Sequence, residues 1–233
     1  MKKLFLFLLL VVGGLLGAHA TVQAATYTVC ADMACDAETI TEAFATLVDT
    51  ATGGDEVQVI SDYDPSAETY PLVFPDVTTT IACDEGIVIG QTNPAELSST
   101  ISLSTSSTIR DCTFGRVMLM SKNPGMTALA PSGIRIENNI FSQMATSSIY
   151  LFAGAKNFVI QGNRDINYLT INSNREVENG LIQNNSFFGR VNSGRSGYML
   201  ATSASSTNLL FFNNDFVGHM TDTIGGAMSA LSI

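Results

Sequence analysis

One histidine and a few arginines are the residues of this chain that could carry out chemistry. Of the two histidines, His19 falls in a segment that we expect to be removed, which leaves His219 for any general base or Ser/His/Asp triad. A zinc site with several histidines from one chain is thereby excluded. A lone histidine at a turn, with only Asp222 as a neighbouring acid, is more often an ordinary surface side chain.

Arg164, Arg190 and Arg195 form the second group, because guanidinium groups bind carboxylates through paired hydrogen bonds. Together with nearby acids they could bind a saccharide or a uronate. Structural ion pairs between neighbouring segments explain the same residues, and we favour that interpretation. The acids concerned are Asp165, Glu176 and Glu178.

Two groups of acids could bind calcium through clustered oxygens. Neither has the spacing of an EF-hand, so a solvated acidic surface is the preferred interpretation. We therefore expect no metal and no other cofactor, with calcium as the alternative. The groups are Asp62 and Asp64 with Glu68, and Asp32 and Asp36 with Glu38.

The composition limits the possible partners. The chain has 233 residues, 45% of them apolar and 14% charged, with 11 basic and 21 acidic side chains and a net charge of −10. Loss of Lys2 and Lys3 with a leader would leave 9 − 21 = −12. Between Lys3 and Arg110 there are 14 acids and no base. Nucleic acid is therefore not an expected partner.

Residues 1–24 have the three parts of a secretory signal: Lys2 and Lys3, an apolar run over 4–16, and small residues at the end. Thirteen residues of helix span about 20 Å, which is too short for a membrane core of about 30 Å. We expect cleavage after Ala24, with Ala20 as the alternative, and no later membrane span. The mature chain, residues 25–233, is then secreted, periplasmic or on the cell surface.

The four cysteines suit such an oxidising compartment. Cys30 and Cys35 are close enough to close a small loop, and we favour this pair as a disulfide. Cys83 and Cys112 are 29 residues apart in sequence, which is the length of one coil in a repeat fold, so the two residues could lie side by side in neighbouring coils. Whether they form a disulfide depends on the geometry of their Cβ atoms. The spacings lack the paired knuckles of a zinc site.

A short helix precedes the strand-rich part of the chain. Residues 27–30 predict a strand, and residues 39–48 predict a helix that begins with a capping box formed by Thr39 and Glu42. Residues 57–60 alternate like a strand. No second helix is convincing after this point. The apolar face of the helix is expected to contain Ile40, Phe44, Leu47 and Val48.

A repeat takes the place of helices in the rest of the chain. Residues 136–141, 182–187 and 211–216 share an Asn-Asn-x-Phe core, 109–114 has Asp-Cys in place of the asparagines, and 160–165 is a weaker copy. Taking Cys112, Asn139, Asn163, Asn185 and Asn214 as equivalent gives steps of 27, 24, 22 and 29 residues. A period of this size indicates a solenoid or a similar repeat architecture.

Stacking the repeats as coils satisfies their backbone hydrogen bonds, because each strand then pairs with its equivalent in the coils above and below. Asparagine tolerates left-handed backbone and bonds locally, so Asn139, Asn163, Asn185 and Asn214 are expected to form a column at a sharp bend. Asp165 replaces the phenylalanine of the weak copy, and we expect a bulge or a shifted register there. The expected core column is Phe114, Phe141, Phe187 and Phe216.

These residues resemble the right-handed parallel β-helix of the pectate lyase-like superfamily. The Asn-Asn-x-Phe repeat is typical of its coils, and residues 39–44 followed by 54–57 are similar to its capping helix and the turn into its first strand. The resemblance covers about residues 27–233. It implies an all-β, right-handed, single-stranded parallel β-helix with a short N-terminal capping helix, the cap in 25–56 and the coils in 57–233.

In enzymes of this family, the acidic metal ligands and the catalytic Arg, Lys or Asp lie on the outer side of one long sheet. The strands that we assign to that sheet contain no charged residue. The polygalacturonase pattern is missing, because Asn213-Asn214-Asp215 only superficially resembles its Asn-Thr-Asp and no Asp-Asp pair follows. No catalytic residue can therefore be transferred. The assigned strands are 101–104, 126–130, 149–152, 168–171, 198–201 and 227–231.

The sequence therefore predicts an exported, non-catalytic β-helix module that binds a polysaccharide or a surface protein, as in adhesion. The alternative is a polysaccharide lyase or glycoside hydrolase with a degenerate site around Arg190, Arg195 and His219. An enzyme needs convergent ionisable groups in one cleft, whereas a binding module needs only a flat polar face.

Overall fold

The computed structural model describes residues 24–32, 34–50, 53–91, 99–121, 130–142, 148–151, 154–171, 177–190, 200–202 and 206–219. Strands dominate these ranges, and one helix lies near the N-terminus. The elements in chain order are β1 (Thr26–Val29), α1 (Ile40–Thr50), β2 (Asp55–Val59), β3 (Leu72–Val73), β4 (Thr79–Cys83), β5 (Val88–Ile89), β6 (Ser99–Leu103), β7 (Ser107–Arg110), β8 (Thr113–Phe114), β9 (Val117–Ser121), β10 (Arg135–Glu137), β11 (Ile140–Phe141), β12 (Ser148–Tyr150), β13 (Ala155–Lys156), β14 (Val159–Gln161), β15 (Tyr168–Ile171), β16 (Val177–Gln183), β17 (Ser186–Arg190), β18 (Leu200–Thr202), β19 (Ser206–Phe212) and β20 (Asp215–His219).

The strands stack into a parallel β-solenoid of about five turns, which confirms the β-helix fold predicted from the repeat. Sheet A has nine strands in the order β1-β2-β4-β7-β10-β14-β16-β13, with β19 also paired to β16. Sheet B has six, in the order β18-β15-β12-β9-β6-β3. Sheet C (β11-β8-β5) and sheet D (β17-β20) complete the walls. A coil such as β7, β8, β9 therefore crosses sheets A, C and B in turn.

Two columns of left-handed residues run across the coils along sheet A. The column after the strands contains Asp111, Asn138, Gly162, Asn184 and Asn213, each with φ between 49° and 66°. This conformation favours glycine and asparagine. Each coil therefore turns sharply at the same place and enters the next wall. The second column contains Ser106, Gly133 and Asn157, which precede β7, β10 and β14, and Asn179 and Asn208, which lie within β16 and β19.

A buried column of asparagines follows the first of these turns. The side-chain oxygen of Asn185 accepts hydrogen bonds from the main-chain and side-chain amides of Asn163, each at 3.0 Å. The side-chain oxygen of Asn214 accepts the same two bonds from Asn185. The side-chain amide of Asn163 also donates to the carbonyl of Ile136 at 2.8 Å. The column begins at Cys112, whose amide donates to Asn139. Its sequence separations are the predicted 27, 24, 22 and 29 residues.

The aromatic core column lies beside the asparagines. Phe114 and Phe141 have ring centroids 5.0 Å apart, and Phe187 and Phe216 are 4.9 Å apart and nearly parallel. Ile166, which is fully buried and pairs with Phe187, fills the position between these two ring pairs. Asp165 is therefore an extra residue with φ 60°, so the bulge expected in the weak repeat is present.

Two disulfides join the cysteines. Cys83 bonds Cys112 across one step of 29 residues, and Cys30 bonds Cys35 within the loop before α1. Cys112 is the first residue of the asparagine column. The covalent bond therefore ties the first residue of that column to the preceding coil.

Helix α1 covers the N-terminal end of the solenoid. Thr39 and Glu42 form the predicted capping box, since each main-chain amide bonds the other side chain. Ile40 and Leu47 are fully buried, and Ala43 and Phe44 nearly so. The prediction for Val48 was wrong, because it is 64% exposed and Ala43 takes its place on the buried face.

One strand of sheet B also differs from the prediction. β9, residues Val117–Ser121, pairs with both β6 and β12 and occupies the position that we assigned to 126–130. Residues 126–129 lie outside the described ranges, as do residues 1–23 of the predicted leader 1–24 and the strand at 227–231. Within the described ranges, no helix has the length and apolar composition needed to cross a membrane.

Candidate binding surface

The outer face of sheet B is a flat surface without charge. Side chains alternate between the core and the outside along each strand, and inward residues such as Leu119 and Ile149 are fully buried. The paired registers align the outward residues of neighbouring strands. No acidic or basic residue occurs in the six strands. The main outward row is Val73, Ser102, Met120, Tyr150 and Thr170.

Two methionines and two tyrosines form the centre of this surface. Met120 pairs with Tyr150, and Ser148 lies in register between Met118 and Tyr168. These four large side chains are half-buried, and they occupy three adjacent strands spaced about 4.8 Å apart. We call them the Tyr/Met patch. It combines apolar area with phenol groups that can hydrogen-bond. The sequence interpretation missed it, although the aromatic residues of strands 149–152 and 168–171 were a usable signal.

Ser148 is an unusual member of this surface. Its alternation with the inward Ile149 puts it on the outer side, yet its side chain is 1% exposed and its hydroxyl has no hydrogen-bond partner. Met118 and Tyr168 are its register neighbours on either side. A buried hydroxyl without a hydrogen-bond partner lowers the free energy of unfolding, so Ser148 destabilises the fold at this position.

Several ion pairs of the described coils lie on sheet A instead. The Arg110 guanidinium is 2.9 Å from Glu56, and Lys156 is 3.3 Å from Glu178, in each case between different coils. Arg135 pairs with Glu137 along one strand. These pairs are partly exposed and contribute little stability. Glu178, one of the acids that we considered for a uronate site, is thus engaged by a lysine.

The residues of the enzymatic alternative are only partly brought together. Arg190 and His219 occupy paired register positions of β17 and β20. Arg164 lies one coil earlier, bridged to Ile140, and its side chain is exposed. Arg195 lies outside the described residues. Two of the three residues of the alternative site are therefore backbone neighbours at the end of sheet D.

Two acids of the calcium hypothesis, Glu68 and Asp36, have partners within the protein. Glu68 is 7% exposed, and its carboxylate accepts from the amides of Ile40 and Thr41 at the start of α1 and from the hydroxyl of Tyr63. It therefore caps the helix from a distant segment. The Asp36 carboxylate accepts a hydrogen bond from the main-chain amide of Thr28, and this bond lowers the pKa of Asp36. No group of three potential ligands occurs within the described ranges.

The buried Tyr63 and the partly buried Tyr70 both interact with the Glu68 carboxylate. Burial raises the pKa of Tyr70 to about 12, and the charge of Glu68 adds to the effect. Burial also raises the pKa of Tyr63 far above its ordinary value, with further contributions from Tyr70 and Glu68. Both phenols therefore stay neutral at physiological pH. They cannot act as bases there, and their place beneath α1 is structural.

Comparisons with protein-family models, with curated proteins and with solved structures find no match to this chain.

Proposed function

We propose that this protein is an exported, non-catalytic β-solenoid module that binds an uncharged polysaccharide through the outer face of sheet B. The observation that carries the proposal is the Tyr/Met patch, Met118, Met120, Tyr150 and Tyr168, on a face without charged residues. Tyrosine rings offer a flat apolar surface with a polar end, which suits the faces and hydroxyls of a sugar ring. Ser and Thr side chains flank the patch.

The electrostatics favour a neutral ligand. The chain has a net charge of −10, so it would repel a polyanion at low salt. A uronate polymer would also need cationic partners on the binding face, and the strands of sheet B supply none. The two disulfides support export to an oxidising compartment, in agreement with the predicted leader.

Co-sedimentation with insoluble cellulose, chitin and mannan tests the proposal, and affinity gel electrophoresis in soluble polygalacturonate gives the charged comparison. A Tyr150→Ala/Tyr168→Ala double variant should weaken binding by about tenfold or more, because truncated contact aromatics commonly cost more than 1 kcal/mol each. Phe212→Ala is the matched control, since Phe212 is an exposed aromatic on sheet A. Equal binding by all three proteins, or binding of polygalacturonate alone, would contradict the proposal.

The alternative, a polysaccharide lyase or hydrolase, is supported by the register pairing of Arg190 with His219. β-Elimination from a uronate requires a neutralised carboxylate and a base at the adjacent carbon. We expect no unsaturated product by ultraviolet absorbance, with or without calcium. Product that is abolished by Arg190→Ala, Arg195→Ala or His219→Ala would replace the binding proposal with the enzymatic one.

A further inference from the structure

One acceptor motif for N-linked glycosylation occurs in this sequence, Asn184-Asn185-Ser186. The two asparagines of the motif have opposite environments. Asn184 is exposed in the left-handed column after sheet A, whereas Asn185 is 2% exposed in the buried column. The acceptor asparagine is therefore the one that the turn presents to solvent.

The hydrogen bonds of the outer asparagines show what is particular about Asn184. In these columns a side-chain amide typically donates to the side chain one coil earlier, as Asn179 does to Asn157 and Asn208 to Asn179, each at 3.0 Å. Asn213 donates to the side-chain oxygen of Asn184 at 2.8 Å. The Oδ1 atom of Asn184 is thus used, which leaves its Nδ2 atom to be considered.

Gly162 occupies the position one coil before Asn184, because Gln161 pairs with Gln183. A glycine has no side chain to accept a hydrogen bond, and a Cβ atom there would collide with the side chain of Asn138. Within the described part of the chain, Nδ2 of Asn184 accordingly has no acceptor. A substituent on this nitrogen would break none of the described hydrogen bonds, since the one bond of the Asn184 side chain uses Oδ1.

From the motif, the exposure and this unused nitrogen, we infer that Asn184 is an acceptor for an N-linked glycan. In the reaction, Nδ2 of Asn184 forms a bond to the anomeric carbon of an oligosaccharide carried on a polyprenyl diphosphate. The bond from that carbon to the diphosphate oxygen breaks, the lipid diphosphate leaves, and the nitrogen loses one proton to solvent. The glycan would project from the corner between sheets A and D, away from the face of sheet B.

The inference rests on the export part of the proposed function and is independent of polysaccharide binding. Cell-free translation with endoplasmic reticulum microsomes separates the two requirements, because protease protection reports translocation and gel mobility reports glycosylation. The full chain and residues 25–233 behind a leader of proven function are translated side by side. The second arm ensures that failure of the chain's own leader does not obscure the result.

We expect a protease-protected product with one slower band that endoglycosidase treatment removes. Asn184→Gln and Ser186→Ala should each abolish that band, whereas Asn213→Gln, a neighbour in the same column without the motif, should retain it. The glycosylated and enzymatically deglycosylated proteins should unfold at urea midpoints that agree within error. A protected product without the band, or a glycosylated product that fails to form its disulfides, would overturn the inference.

Discussion

The side-chain oxygen of Asn163 accepts two hydrogen bonds from Asn139, one from its main-chain amide and one from its side-chain amide, each 3.0 Å long. Both residues are fully buried and 24 positions apart in sequence. A single amide thus satisfies polar groups of the adjacent coil that would otherwise be buried without partners. The relation recurs between coils and links the sharp turn of each coil to the next.

Replacing Asn163 should be among the most damaging single changes in the coils. Asn163→Ala removes both of its bonds from Asn139 and its bond to the carbonyl of Ile136, leaving buried groups unsatisfied at about 1–3 kcal/mol each. We expect a loss of about 3–5 kcal/mol in the free energy of unfolding, measured by urea denaturation. Asn208→Gly, in the exposed column, keeps the left-handed backbone and loses one solvent-exposed hydrogen bond, so it should cost less than about 1 kcal/mol. Similar losses for both variants would contradict this account of the buried column.

Two phenylalanines of the last described coils should differ in their contribution to stability, because only one of them is buried. Phe187 is fully buried against Phe216, so Phe187→Ala should destabilise the fold by about 3–5 kcal/mol. Phe212 is 61% exposed, and Phe212→Ala should change stability by no more than about 0.5 kcal/mol. Urea midpoints of the two variants give the comparison. A large cost for Phe212 would mean that its ring has a partner in the folded protein.

The two disulfides should differ in their contribution to stability. The chain-entropy relation gives about 3.5 kcal/mol for the 29-residue separation of Cys83 and Cys112, and about 2 kcal/mol for the short loop of Cys30 and Cys35. Cys83→Ser/Cys112→Ser should therefore lower the urea midpoint more than Cys30→Ser/Cys35→Ser. The opposite order would indicate that the N-terminal loop holds α1 in place more strongly than loop closure predicts.

Alkaline pH should destabilise the folded protein through Tyr70. Its pKa is about 12 in the folded protein and about 10 in the unfolded chain. The stabilisation is fully present below pH 10 and is lost as the pH rises towards 12, because the unfolded chain releases the proton first. Urea midpoints between pH 9 and 12 should fall, and Tyr70→Phe should flatten part of that fall. An unchanged slope in Tyr70→Phe would assign the alkaline loss to other groups.

The corner after sheet A could be predicted from the sequence because its residues are chemically constrained. A sharp turn needs a left-handed residue, and the next position needs an amide that serves the adjacent coil. These demands recur once per coil and leave the Asn-Asn-x-Phe pattern, from which the steps of 27, 24, 22 and 29 residues and the bulge at Asp165 followed. The capping box of Thr39 and Glu42 was legible for the same reason.

Sheet B was harder to predict because its connections have no such constraint. From Cys112, Asn139, Asn163 and Asn185 to the paired residues Leu119, Ile149, Leu169 and Leu200 there are 119 − 112 = 7, 149 − 139 = 10, 169 − 163 = 6 and 200 − 185 = 15 positions. Loops of such different lengths cost nearly the same entropy, so the sequence does not specify where the strand begins. This is why the sequence pattern placed this strand at 126–130, whereas β9 lies at Val117–Ser121.

The sequence by itself therefore determined the solenoid, its corner and its core column, since these depend on backbone conformation and burial repeated in every coil. Tertiary structure decided which side chains meet across coils: the Tyr/Met patch on sheet B, the helix cap supplied by Glu68, and the pairing of Cys83 with Cys112. Those contacts join residues whose separation depends on register. Register is selected by packing all the coils together, which no local pattern encodes.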